Sequence, residues 1–159
     1  MPEGQTQFQT SVARILEVVM FENWLRFYFI APEADGEDLS LAIPEKGLAR
    51  IRELYPHLYP LAAQLNGKKI DFETSRAAVL AHIAGEVGGD GPEHYEIAQI
   101  LQSATFQARL QMFHAWEQLH EDQLDQSFLE FGAWRNLFAK WQTTPAAQEL
   151  EKKYLSAAS

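Results

Sequence analysis

Apolar positions between residues 11 and 43 fall in runs rich in β-branched and aromatic side chains: Val12, Ile15, Val18 and Val19, then Trp24, Phe27, Tyr28, Phe29 and Ile30. Such residues suit a pleated, half-buried surface, so the segment predicts strands with Glu22-Asn23 as a turn. The acidic stretch from Pro32 to Asp38 contains Asp35-Gly36 and reads as a second turn. Leu39-Ser40-Leu41-Ala42-Ile43 then alternates apolar with small or polar residues. The prediction for about 11–43 is a three-stranded antiparallel meander. A second periodicity runs through the same region. Phe8, Val12, Ile15, Leu16 and Val19 also fit one face of an amphipathic helix, and that alternative makes the chain an all-α bundle.

From Pro44 the period is helical. The proline suits a first helical position, and Leu48, Ile51 and Leu54 follow before Pro56 interrupts. Leu61, Ala62 and Leu65 make a further short helix that Asn66-Gly67 closes. Lys68 to Phe72 reads as extended, and Thr74 or Ser75 can cap a helix carrying Ala77, Val79, Leu80, Ile83 and Ala84. Four glycines between Gly85 and Gly91 oppose regular structure through their backbone entropy and mark an internal boundary.

Beyond that boundary Pro92 opens a long helix to about Leu124, with Ile97, Ile100, Leu101, Ala104, Ala108, Met112, Ala115 and Leu119 on one stripe. Phe106, Phe113 and Trp116 form a second apolar set, so this helix meets neighbours on two sides. A helix from about Asp125 to Trp141 carries Phe128, Phe131, Trp134, Phe138 and Trp141. Its aromatic stripe is expected to dock on that second set, and Thr144-Pro145 caps a last helix through Leu155. The expected architecture is one α+β domain over 1–159, a small meander beside five or six helices with an antiparallel helical half at the C-terminus. It subdivides into a mixed α/β half (1–84), a glycine-rich loop (85–91) and a helical half (92–159).

Composition narrows the function classes. With 159 residues, 47% apolar and 12% aromatic, the chain can bury the core of one domain. Its 13 Lys+Arg against 22 Asp+Glu leave a net charge of -9, which repels nucleic acid and anionic membranes. Arg50, Arg52, Lys68 and Lys69 are the one basic concentration, too few for a nucleic-acid stripe. There is no cysteine, which removes disulfides, thiolate catalysis and cysteine-ligated metals. The first residues lack the basic and apolar regions of a secretory signal, and the run Trp24 to Ala31 is far shorter than the roughly 20 residues that cross a bilayer. A cytoplasmic location with no membrane contact is the expectation.

Candidate chemistry is sparse. His114, Glu117 and Glu121 share a polar arc of the long helix with His120 at its margin, and Glu117-x-x-His120 has the spacing with which ferritin-like bundles ligate metals. Those bundles need a second such motif besides two more glutamates, and no second Glu-x-x-His occurs, so the arc reads as a solvated face with metal binding as its alternative. His82 lies four residues before Glu86, and His94 lies between Glu93 and Glu96; both read as ion-pair partners. Neither a nucleophile elbow nor a phosphate-binding glycine motif occurs. No cofactor is expected.

The aromatic stripe Phe128, Phe131, Trp134, Phe138 and Trp141 is the candidate partner-binding surface, because interfaces concentrate large aromatics. The expected function is a non-enzymatic interaction or regulatory module that forms a homodimer through the helices from Pro92 to Trp141, or holds a protein partner. The alternatives are a metal-dependent helical enzyme built on the His/Glu arc and a binder of a small apolar ligand.

Overall fold

One helix, α1 (Pro2–Phe29), occupies the stretch whose β-branched and aromatic residues predict strands. The computed structural model describes residues 2–32, 39–69, 78–82 and 99–158, and it is mostly helical. The meander expected over 11–43 is not formed. Extended backbone there is confined to β1 (Ile30–Pro32) and β2 (Leu39–Leu41), an antiparallel pair with Ile30 opposite Leu41 and Pro32 opposite Leu39.

Burial explains the correction. Met20, Phe21, Trp24 and Leu25 are buried together with Glu22 and Asn23, so consecutive residues of α1 are covered on every side. A helix buried all round has no amphipathic stripe, and a continuous apolar run has no period that separates helix from strand. Val12, Ile15 and Leu16 are buried at the helical spacing of the alternative reading. Glu22 and Asn23 form no turn. They lie within the helix, where Glu22 Oε2 stands 2.7 Å from Arg26 Nε one turn on, and the Arg26 guanidinium also donates to Asn23 Oδ1.

The chain divides into two compact units, Glu17–Glu93 and Met1–Leu16 with His94–Ser159. In the first, β2 is followed by α2 (Glu45–Leu54) and α3 (Tyr59–Leu65), which pack on each other. Pro44 stands at the N-cap of α2 as its fixed φ favours, and Ile51 is the buried residue of its inner face. Asn66-Gly67 closes α3. Gly67 has φ +81°, the left-handed region open to glycine, and its N–H donates to the Leu41 carbonyl at 2.7 Å. Asn66 Oδ1 accepts from the Ile43 N–H at 2.7 Å, so this turn ties α3 to β2. Lys69 forms a single bridge with Ser40, the described part of the extension expected from Lys68. Residues 78–82 are helical; the expected caps Thr74 and Ser75 and the glycine run lie outside the described residues.

In the second unit the long helix expected from Pro92 to Leu124 is interrupted twice. Residues 99–102 are helical, α4 spans Ala104–Leu119 and α5 spans Glu121–Gln126. Ser103 makes the first break: its hydroxyl accepts from the Phe106 N–H at 3.2 Å and donates to the Ile100 carbonyl at 2.7 Å. Short polar side chains that bond nearby backbone in this way compete with the helical ladder. The second falls at His120, whose backbone leaves the helical region (φ -116°, ψ 15°) while its N–H still makes the helical bond to the Trp116 carbonyl at 3.1 Å and its ring Nδ1 engages the same oxygen at 2.9 Å.

The aromatic helix α6 (Phe131–Gln142) begins later than its sequence pattern predicts, leaving Phe128 ahead of it and 56% exposed. Phe131, Trp134 and Phe138 are buried. Trp134 meets Trp116 edge-on with ring centroids 5.4 Å apart, and Phe138 lies 5.6 Å from Trp116 and 5.7 Å from Phe113. The expected docking of the stripe on Phe113 and Trp116 is thus what α4 and α6 form. α7 (Pro145–Ala158) runs against α4, and Thr144 caps it by accepting from the Ala147 N–H. No helix among the described residues is long and apolar enough to cross a membrane.

Because Trp134 is fully buried and edge-on to Trp116, Trp134→Ala is expected to lower stability by about 3–5 kcal/mol in urea denaturation followed by circular dichroism. A loss below about 1 kcal/mol would contradict its place in the core.

Candidate functional site

Two helices of the C-terminal unit end on the same device, a tryptophan carbonyl that accepts two bonds from one residue. At the end of α4 the Trp116 carbonyl takes the N–H and ring nitrogen of His120. Near the end of α6 the Trp141 carbonyl takes the N–H of Thr144 at 2.9 Å and its hydroxyl at 2.7 Å.

Between these two endings lies a cavity of about 360 Å³. Its apolar wall is Trp116, Leu124, Leu129, Leu137 and Trp141. Trp116 and Leu124 are each only 2% exposed and form its deepest part, whereas Leu137 is 43% exposed and stands at the mouth. The His120 ring lies 6.1 Å from the Trp116 ring and 6.3 Å from that of Trp141, which it meets edge-on. Phe138 stacks on Trp141 from the core side at 6.2 Å, so the aromatic core continues into the cavity wall.

The polar members of the wall are His120, Gln123, Lys140 and Thr144. A carbonyl only accepts, so His120 donates through Nδ1–H. The Thr144 hydroxyl is engaged at both ends, donating to Trp141 and accepting from Ala147. A mainly apolar hollow of this size with a few convergent polar groups has the make-up of a small-molecule site.

The sequence-derived candidates are distributed differently from their pattern. Of the aromatic stripe, Phe131, Trp134 and Phe138 are core, Trp141 is half-buried in the cavity wall and Phe128 is exposed. His114 and Glu121 are exposed and Glu117 is half-buried, with His120 at the break between α4 and α5 and Glu121 on α5. Among the described residues no three His, Asp or Glu side chains are grouped to hold a metal ion. Arg50, Arg52, Lys68 and Lys69 are exposed, with the Arg52 guanidinium 5.6 Å above the Tyr59 ring. Glu86, Glu93, His94 and Glu96 lie outside the described residues.

Two groupings escaped the sequence reading. Leu124, Leu129, Leu137 and Lys140 join the cavity only because the chain turns at His120 and again before Phe131, and no periodicity encodes those turns. The pair of buried Glu22 with half-exposed Arg26, joined by Asn23, was legible as a Glu-to-Arg spacing of four residues inside an apolar run. In the same unit Glu17 and His57 meet at 3.1 Å on the surface. Comparison of the chain with protein-family models, with curated proteins and with solved structures finds no match.

Proposed function

We propose that the chain is a non-enzymatic binding module whose cavity between the ends of α4 and α6 holds a small, mainly apolar ligand. The observation that carries this reading is the cavity of about 360 Å³ walled by two tryptophans and three leucines. Its polar members favour binding over catalysis. The Thr144 hydroxyl and the His120 Nδ1–H are committed to backbone carbonyls, and no carboxylate stands among the lining residues to work with His120. With Phe131, Trp134 and Phe138 in the core, the part of the aromatic stripe left for a partner is Phe128 and Trp141.

The neutral fluorescent probe N-phenyl-1-naphthylamine tests the reading. It should bind saturably at one site and quench tryptophan emission. Leu137→Ser, at the exposed mouth, should weaken that binding about fivefold while the circular dichroism spectrum stays unchanged. No saturable binding by the unaltered chain, or equal binding by Leu137→Ser, would overturn it.

A second reading, self-association as a homodimer, draws support from the large apolar side chains that the same unit leaves exposed, Leu119 at 67% and Phe128 at 56%. Analytical ultracentrifugation at micromolar concentration is expected to show a dimer that Phe128→Ser weakens. A monomer at every concentration would remove this reading.

A further inference from the structure

The cavity wall carries an electrical preference that its leucines and tryptophans do not. In a chain of net charge -9, the formally charged residue among those lining the cavity is a cation, Lys140. Asp and Glu are absent from the lining, and among the described residues no carboxylate pairs with the Lys140 ammonium. Lys140 is exposed, and its backbone carbonyl, not its side chain, serves the local fold by accepting from Thr143.

The other polar groups narrow what that cation can meet. The Thr144 hydroxyl and the His120 Nδ1–H are engaged with backbone. The lysine, with three donors and no acceptor, the Gln123 amide and the second ring nitrogen of His120 remain to orient a ligand. A donor-rich cationic edge beside an apolar floor complements a molecule with an anionic acceptor at one end and a hydrocarbon or aromatic body. One cation and one amide suit a single negative charge. A dianion or polyanion would bring further charge towards a protein that is itself strongly negative.

We propose that the ligand is an apolar monocarboxylate, with its body against Trp116, Leu124 and Trp141 and its carboxylate held by Lys140. This rests on the cavity being the ligand site.

Octanoate and octan-1-ol share one hydrocarbon body and differ in charge, so titrating each into the full chain by calorimetry at low ionic strength separates the two claims. Octanoate is expected to bind about fivefold or more tightly than octan-1-ol, as a charge-assisted bond at a partly exposed site allows. Lys140→Gln should bring the two ligands to equal affinity by weakening octanoate. Added salt should weaken octanoate alone. Equal binding of the two by the unaltered chain, or a preference for octanoate that survives in Lys140→Gln, overturns the carboxylate assignment, and saturable octan-1-ol binding then still supports the cavity as a site. If neither ligand binds, both readings fall.

Discussion

The C-terminal helices depend on how Trp116 is held. Its indole, 2% exposed, meets Trp134 and Phe138 of α6 at 5.4 and 5.6 Å and stacks near Phe113 of its own helix at 5.9 Å. Aromatic pairs at such separations contribute about 0.5–1.5 kcal/mol each beyond the area they bury. The same residue's carbonyl accepts both bonds from His120, the residue at which α4 ends. One position therefore joins the core to the local event that turns the chain aside, and the cavity opens where that turn leaves α5 and the end of α6 around it.

This coupling explains why the aromatic residues divide as they do. Spacing alone puts Phe128, Phe131, Trp134, Phe138 and Trp141 on one stripe, but helix α6 starts at Phe131, and Phe128 has no place in its register. Phe131, Trp134 and Phe138 bury against their neighbours, and Trp141, one turn further, reaches the rim of the core where it becomes wall rather than filling. The aromatic stripe thus supplies both core packing and a part of the cavity wall, with the boundary set by where the facing helix stops.

The parts of this organisation that local chemistry dictates are visible in the residues themselves. Pro44, Asn66-Gly67 and Thr144-Pro145 act where their backbone preferences direct, because a fixed φ, a left-handed glycine and a capping hydroxyl depend on few neighbours. The facing of Trp134 and Phe138 towards Phe113 and Trp116 was equally legible from helical spacing. The conformation of residues 11–29 was not. Between Met20 and Leu25 burial on all sides erases the period, and β-branched content then points to strands where tertiary contacts select a helix. The breaks at Ser103 and His120 were hidden for another reason. At each a side chain bonds a backbone carbonyl, which leaves no trace in hydrophobic spacing, and the cavity lies beside the second.

The central claim is that the rings of Trp116 and Trp134 act on each other rather than merely filling adjacent space. A double-mutant cycle with Trp116→Leu and Trp134→Leu, read by urea denaturation, tests it most directly. A coupling of about 0.5–1.5 kcal/mol between the two positions is expected. Strictly additive losses would contradict it.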